Sequence, residues 1–295
     1  MSILKLTYSI IGIFISIFLI SYLLNEYSIF SNFFSRKDLS IFDIIFFVSI
    51  YSLGLILKPL RYYFILKKDS LFIFAKSFYI GNLINLFLPF RLGDVTRIFL
   101  FNKTNSRKSN ALLIICEKIL DLLSMFLLLF FSYSFFIDQA FLDLFISFFK
   151  YSCLIIFFFL ALTLFKCFKT YKVIAFKVLS VILITIFAWA IEGMAVAYFL
   201  SKTLAIDYGI GFSFMPLTTL STLIPSAPGY IGVINFALIK WAEIINVSNS
   251  NIGTISFEFY ALMWIVTLIF GLISIKPHWK TVSPFLKESL TKIFK

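Results

Sequence analysis

Two arginines and an aspartate lie close together in an otherwise apolar part of the chain. Arg91, Asp94 and Arg97 follow shortly after Pro89. A guanidinium presents parallel N–H donors that match a phosphate group. Asp94 lies three residues from each arginine, so it could hold either one in place. The pattern predicts a phosphate-binding site, and the alternative is an ordinary cytoplasmic loop that carries positive charge.

Three carboxylates occur within apolar runs. Glu117 and Asp121 are four residues apart, so they share a helix face, and Glu192 lies near the middle of a later run. A central charge in a membrane helix costs ~2.5–3.5 kcal/mol on insertion scales, so such groups usually face a bundle interior or a cavity. Glu117 and Asp121 would then line a site or pair with Arg91 or Arg97. Glu192 is a candidate for proton coupling, with a buried, hydrogen-bonded carboxylate as the alternative.

Two apolar regions are interrupted by proline and glycine in a similar pattern. Each contains P-x-x-x-G, from Pro89 to Gly93 and from Pro225 to Gly229. Polar residues stand seven and four positions before each proline, on one helix face; they are Asn82, Asn85, Thr218 and Ser221. Paired breaks of this kind in two halves of a membrane protein indicate an inverted repeat with a site near the midplane. The alternative is two kinked helices without a cavity.

No catalytic motif accompanies these residues. The sequence has no nucleotide-binding loop, zinc pattern or nucleophile elbow, and its three cysteines lack metal-ligand spacing. We therefore predict no enzyme activity, no cofactor and no metal. An intramembrane transferase with Glu117 or Asp121 as its base stays open. The net charge is +12, but the basic residues lie in short loops between apolar runs, which argues against a nucleic-acid partner.

The elements that must position these residues are membrane helices. The chain is 61% hydrophobic and 14% charged, whereas soluble domains are about 45–50% apolar and about 25% charged. We predict an all-α, polytopic membrane helix bundle in one domain over 1–280, followed by a basic cytoplasmic tail at 281–295. The predicted spans are 3–24, 41–57, 71–90 (broken), 111–136, 144–165, 178–200, 208–247 (a broken hairpin) and 254–275.

The distribution of Lys and Arg predicts the orientation. With the N-terminus inside, most basic residues fall on the cytoplasmic side, among them Lys58 and Arg61. Both termini are therefore predicted to be cytoplasmic, in the plasma or bacterial inner membrane. Region 71–101 would then enter and leave from the inner face, and region 208–247 from the outer face. The two broken segments would be re-entrant from opposite sides.

Three motifs in order resemble the lysylphosphatidylglycerol synthase transmembrane region, also called flippase-like integral membrane proteins. They are N-x-x-N-x-x-x-P-x-R-x-G-D-x-x-R (Asn82 to Arg97), E-K-x-x-D (Glu117 to Asp121) and L-x-x-L-I-P-S-A-P-G-x-I-G-V (Leu220 to Val233). The family includes the membrane half of the multiple peptide resistance factor, which moves a charged phospholipid between leaflets. The resemblance covers about residues 5–275 and implies a role in handling lipid or glycolipid.

The chain departs from the family pattern at two positions. Asn235 stands where the family often has an acidic residue, and Asp94 where it usually has Glu. An asparagine can hydrogen-bond a headgroup but cannot neutralise a cation. We also expect no soluble aminoacyl-transferase domain after the last span, so synthesis of lysylphosphatidylglycerol is not implied.

The residues and the resemblance together lead to one functional expectation. The leading hypothesis is movement of a phospholipid or lipid-linked glycan between leaflets, and the alternative is a membrane scaffold or accessory subunit of a lipid-modifying or glycosyltransferase system. The expected partners are membrane phospholipids or glycolipids; a lipid-modifying enzyme and a homo-oligomer stay open. The predicted substrate-binding residues are Asn82, Asn85, Pro89, Arg91, Gly93, Asp94, Arg97, Glu117, Asp121, Thr218, Ser221, Pro225, Pro228, Gly229, Gly232 and Asn235.

Overall fold

The computed structural model describes most of the predicted helical regions. It covers residues 39–63, 68–88, 91–100, 107–136, 172–222, 228–247 and 251–275, with three single positions at 17, 18 and 21. Within these residues every regular element is a helix, so the all-α prediction is confirmed there. The predicted span 144–165, nearly all of the span 3–24, the tail at 281–295, Pro89 and Pro225 lie outside the described residues.

The described residues form nine α-helices and one 3₁₀ turn. In chain order they are α1 (Ile41–Leu60), α2 (Lys68–Phe87), α3 (Leu92–Leu100), α4 (Arg107–Phe136), α5 (Lys172–Leu204), α6 (Tyr208–Phe212), α7 (Phe214–Ser221), a 3₁₀ turn (Pro228–Tyr230), α8 (Val233–Ile244) and α9 (Ile252–Ile275). The region predicted as a broken hairpin, 208–247, is divided among α6, α7, the 3₁₀ turn and α8.

Three of the described helices are long and apolar enough to cross a membrane. They are α1, the Phe176–Leu204 part of α5, and α9, with 20, 29 and 24 residues. A helix rises about 1.5 Å per residue, so about 20 residues cross the ~30 Å hydrocarbon core. Many of their large apolar side chains are exposed, Ile41 and Ile273 among them. Such surfaces suit lipid rather than water, and the prediction of membrane helices is confirmed.

Helix α1 packs antiparallel against α5. Ser40 and Asp43 form a capping box at the start of α1, and the Tyr198 hydroxyl near the end of α5 donates a hydrogen bond to Asp43. Farther along α1, a Cβ on Gly54 would lie 2.9 Å from the backbone oxygen of Ala188. The close approach at Gly54 brings the C-terminal half of α1 against the middle of α5, and the charged residues described below lie there.

The chain forms two compact units, each assembled from separate stretches of sequence. The first unit consists of Met1–Lys37, Phe72–Ile115 and Ser221–Lys295, and the second consists of Asp38–Leu71 and Cys116–Leu220. The described residues next to both predicted breaks, from Phe72 in α2 through α3 and from Ser221 to α8, fall in the first unit. The antiparallel pair α1 and α5 belongs to the second unit.

Candidate functional site

Helices α2 and α3 form a tight antiparallel hairpin in the first unit. The Oδ1 atom of Asn85 accepts a hydrogen bond from the Gly93 backbone N–H at 2.7 Å. This N–H belongs to the first turn of α3 and has no partner within its own helix. A Cβ on Gly93 would overlap the carbonyl oxygen of Gly81. Two predicted site residues, Asn85 and Gly93, therefore stabilise the turn between α2 and α3.

Arg97 lies one turn farther along α3 and is fully buried. Its guanidinium carbon lies 5.3 Å and 5.1 Å from the ring centroids of Phe74 and Phe78, and Nη1 lies 3.6 Å from Oδ1 of Asp94. Phe74, Phe78, Gly81 and Asn85 share one face of α2, at helical spacing. Arg97 thus contacts aromatic rings and Asp94, and the phosphate role predicted for it stays a prediction.

Arg91 occupies a different environment, at the turn between α2 and α3. Its side chain is half-buried, and its φ of 51° places a non-glycine residue in the left-handed region. The Nη2 atom donates a short hydrogen bond to the Thr222 hydroxyl, and the guanidinium carbon lies 5.8 Å from the centroid of the Tyr230 ring. Among the residues that the structure describes, no carboxylate lies within ion-pair distance of Arg91. Its contacts come from the second break instead.

Gly229, which follows the second break, lies close to the end of α2. Gly229 has a φ of 70°, and a Cβ there would lie 2.7 Å from the Tyr260 hydroxyl and 3.2 Å from the Leu86 carbonyl oxygen at the end of α2. Only a residue without a side chain fits both the backbone conformation and this contact. Together with the Arg91–Thr222 hydrogen bond, Gly229 brings the described flanks of the two breaks into contact.

Asn235 holds the start of α8. It is fully buried; its Oδ1 accepts a hydrogen bond from the Gly232 N–H at 3.0 Å, and its Nδ2 lies 3.4 Å from the Ser256 Oγ on α9. A neutral amide supplies both an acceptor and a donor, whereas a carboxylate would supply only acceptors. Both polar atoms of the Asn235 side chain therefore form hydrogen bonds with other residues of the protein.

The remaining predicted site residues are distributed over both units. Ser221 is buried and Asn82 is half-buried in the first unit, where Pro228 opens the 3₁₀ turn. Thr218 is buried in the second unit and donates a hydrogen bond to the Met215 carbonyl at 2.6 Å. Glu117, Asp121 and Glu192 also belong to the second unit.

The carboxylates on α4 pair with Arg61, a residue that the distribution of basic residues predicts to lie in a cytoplasmic loop. Arg61, directly after α1, is fully buried. Its Nη1 lies 2.5 Å from Oδ1 of Asp121, and its Nη2 lies 3.3 Å from Oε1 of Glu117. The Asp121 Oδ1 also accepts a hydrogen bond from the Trp189 indole at 2.9 Å. Arg61 is thus a partner of both carboxylates that the sequence did not suggest, and their pairing with Arg91 or Arg97 stays a prediction.

A second ion pair lies beside the first. Lys58 in the last turn of α1 donates to Oε2 of Glu192 at 2.7 Å, and its Nζ lies 3.1 Å from the centroid of the Trp189 ring. Both side chains are almost completely buried, with 8% and 0% of their surface exposed. We call these five residues the charge network: Lys58, Arg61, Glu117, Asp121 and Glu192.

Sequence reasoning missed Lys58 and Arg61 because it counted both as loop cations. One signal could have identified them: they stand three residues apart at the end of an apolar helix, so they point to nearly the same side. Intramembrane carboxylates need cationic partners, and these two cations immediately follow a span.

Comparison with known proteins identifies a family but no individual relative. No curated protein and no solved structure matches this chain. The family model described as "Lysylphosphatidylglycerol synthase TM region" matches residues 9–271, nearly the whole of the 295-residue chain. The match suggests a membrane protein with a lipid-related function, in agreement with the apolar helices described above. On this match, the chain belongs to the lysylphosphatidylglycerol synthase transmembrane region family.

Proposed function

We propose that this protein moves a phospholipid or a lipid-linked glycan between membrane leaflets, with Arg91 as the residue that binds the phosphate of its headgroup. The observation that carries the proposal is the set of partners around Arg91. A half-buried cation in a membrane protein needs a counter-charge, and the described surroundings of Arg91 offer a hydroxyl and an aromatic ring. A lipid phosphate supplies the missing negative charge and matches the planar guanidinium.

The geometry of the two breaks supports a headgroup path at this point. Arg91 and Tyr230 each stand two residues after a proline, and their φ angles are 51° and 63°. Their side chains contact each other, as equivalent positions do when they lie beside a two-fold axis. We propose an inverted repeat of two re-entrant segments on this basis. In this repeat Pro89 corresponds to Pro228, whereas the P-x-x-x-G pattern predicts that Pro89 corresponds to Pro225.

Substitution of Arg91 tests the phosphate contact. We expect Arg91→Lys to fold normally, because the charge is retained, and to slow lipid movement about tenfold or more, because a charge-assisted hydrogen bond is worth about 1.5–3 kcal/mol. Arg91→Gln should slow it further. The measurement is leaflet-resolved transfer of headgroup-labelled phosphatidylglycerol in vesicles containing the purified protein, with thermal unfolding recorded in parallel.

The matched control is Lys240→Gln, which removes an exposed cation that pairs with Glu243 and should leave the rate unchanged. Competition by inorganic phosphate separates a site for free anions from a site for lipid phosphate. Normal lipid transfer by a folded Arg91→Lys protein would refute the phosphate contact. Lipid binding without transfer by the unaltered protein would favour the scaffold alternative.

The same proposal places both termini in the cytoplasm. Burial removes Lys58 and Arg61 from the loop charges that orient the chain, but the remaining Lys and Arg residues keep the same bias. We expect a Lys280→Cys variant, made without the three native cysteines, to react with a membrane-impermeant thiol reagent only after the cells are opened. Labelling of intact cells at position 280 would contradict this orientation.

A further inference from the structure

Two polar aromatic side chains on α9 lie beside the second break. Tyr260 and Trp264 are four residues apart, so they share one helix face. Measured from the position that a Cβ on Gly229 would occupy, the Tyr260 hydroxyl lies 2.7 Å away and the Trp264 Nε1 atom lies 3.4 Å away. Both side chains are half-buried. Within the part of the chain that the structure describes, neither the hydroxyl nor the indole N–H has a hydrogen-bond partner.

The depth of these two groups in α9 separates them from the aromatic residues that usually flank a membrane span. Tyrosine and tryptophan are common at the membrane–water interface, where water satisfies their polar atoms. Trp264 instead lies at the midpoint of α9 (Ile252–Ile275), roughly 17 Å from either end at about 1.5 Å per residue. A polar group at that depth must be satisfied by protein or by a bound molecule. The pair therefore needs a polar partner that reaches the middle of the span.

The chemistry of the pair and its neighbour indicates what this partner is. The Leu86 carbonyl oxygen lies 3.2 Å from the same Cβ position, and it belongs to the last turn of α2, where carbonyls have no partner within the helix. The Trp264 N–H only donates, the Leu86 carbonyl only accepts, and the Tyr260 hydroxyl does both. A ligand hydroxyl also does both and so matches this set. A phosphate oxygen only accepts and an ammonium only donates, so either one leaves a group without a partner.

The polar pair and Arg91 meet at the same turn of the chain. Tyr230 directly follows Gly229, and the centroid of its ring lies 5.8 Å from the Arg91 guanidinium carbon. We propose that Tyr260 and Trp264 bind hydroxyl groups of the headgroup whose phosphate Arg91 binds. The substrate class is then a phospholipid with a neutral headgroup that carries hydroxyls, either glycerol or a sugar. This assignment rests on the proposed phosphate contact and adds the selectivity for what is attached to the phosphate.

Paired lipids that differ only in their hydroxyl groups test the assignment. Phosphatidylpropanol has the phosphodiester and the headgroup carbon skeleton of phosphatidylglycerol but no headgroup hydroxyl. Binding of each lipid to the purified full-length protein in micelles is measured by native mass spectrometry. We expect the wild type to bind phosphatidylglycerol about tenfold more tightly than phosphatidylpropanol, because two hydrogen bonds are gained. Phosphatidylinositol, with a sugar-like ring, should share the preference. Equal affinity for phosphatidylglycerol and phosphatidylpropanol would overturn the hydroxyl site.

Two substitutions locate the preference at the pair. Tyr260→Phe and Trp264→Phe keep an aromatic ring and remove one polar group each, so each should lower the preference about threefold and leave phosphatidylpropanol binding unchanged. The matched control is Tyr79→Phe, which changes another half-buried tyrosine, packed against Phe270, and should keep the full preference. A full preference in a folded Tyr260→Phe protein would refute the assignment. Should Trp264→Phe fail to fold, Tyr260→Phe decides alone.

Two further comparisons separate the hydroxyl site from the other proposals. Arg91→Gln should weaken binding of phosphatidylglycerol and phosphatidylpropanol by the same factor, because both carry the phosphate. If it weakens neither while the wild-type preference persists, the phosphate contact fails and the hydroxyl site stands. Phosphatidylcholine should bind more weakly than phosphatidylglycerol. Binding as tight as that of phosphatidylglycerol would overturn the assignment in favour of a cation held on the aromatic rings.

Discussion

Replacing Arg61 with alanine should lower the free energy of unfolding by roughly 3–5 kcal/mol, the cost of leaving one side of a buried ion pair without its partner. Arg61 is fully buried and contacts both Asp121, at 2.5 Å, and Glu117, at 3.3 Å. Its removal takes away the cation that Glu117 and Asp121 share. The expected result is a large loss of folded protein, measured by SDS titration and by thermal unfolding in micelles.

Charge-balanced variants distinguish ion pairing from simple loss of packing. Arg61→Met combined with Glu117→Gln and Asp121→Asn removes all three charges and keeps similar side-chain volumes, so it should recover much of the lost stability. Arg61→Lys should lie between the wild type and Arg61→Ala, because one ammonium cannot reproduce the guanidinium fork. An Arg61→Ala protein as stable as the wild type would show that the carboxylates do not depend on this cation.

The membrane helices could be predicted because an apolar run is a local property of the sequence. An apolar run of about 20 residues identifies a span by itself, as at 41–57 and 254–275, and the structure has helices at Ile41–Leu60 and Ile252–Ile275. Proline and glycine likewise act on their immediate neighbours. The local pattern also identified Asn85 and Gly93, which the structure joins by a hydrogen bond across the first break.

The pairing of charges could not be predicted, because it depends on contacts between distant parts of the chain. Lys58 and Glu192 are 134 residues apart, and Arg61 and Asp121 are 60 residues apart. The sequence shows which carboxylates lie within spans, but it does not show which cation reaches them. The positive-inside rule assigned Lys58 and Arg61 to a loop because both follow an apolar run. Only the antiparallel packing of α1 against α5 shows that they turn inward.

The different environments of Arg91 and Arg97 could not be predicted from the sequence either, although the two residues are close in the chain. The two residues are six positions apart and have the same chemistry, so the sequence gives both the same predicted role. Their environments differ because Phe74 and Phe78 on α2 enclose Arg97, whereas Arg91 lies at the turn beside Thr222 and Tyr230. The fold of the hairpin, and not the residue type, gives the two arginines different contacts.

A single methyl group at Gly93 should disrupt this hairpin. In Gly93→Ala the new Cβ would overlap the backbone carbonyl oxygen of Gly81, which cannot turn aside as a flexible side chain could. Overpacking usually costs about 1–3 kcal/mol, and the shift would also stretch the 2.7 Å hydrogen bond between Asn85 and the Gly93 N–H. We therefore expect a loss of at least about 2 kcal/mol in unfolding free energy, together with a severe loss of lipid transfer in the vesicle assay.

Gly211→Ala is the matched control for this prediction. It also adds a methyl group to a buried glycine in a short helix, but the nearest atoms, the Cα and carbonyl oxygen of Ala197, would lie 3.1 Å away. A small shift accommodates that contact, and alanine favours the helix by up to about 1 kcal/mol, so the net change should stay within about 1 kcal/mol. If Gly93→Ala were as stable and as active as Gly211→Ala, α2 and α3 could not approach each other as closely as described. The position of Arg91 between the two breaks would then need to be revised, because the same turn sets it.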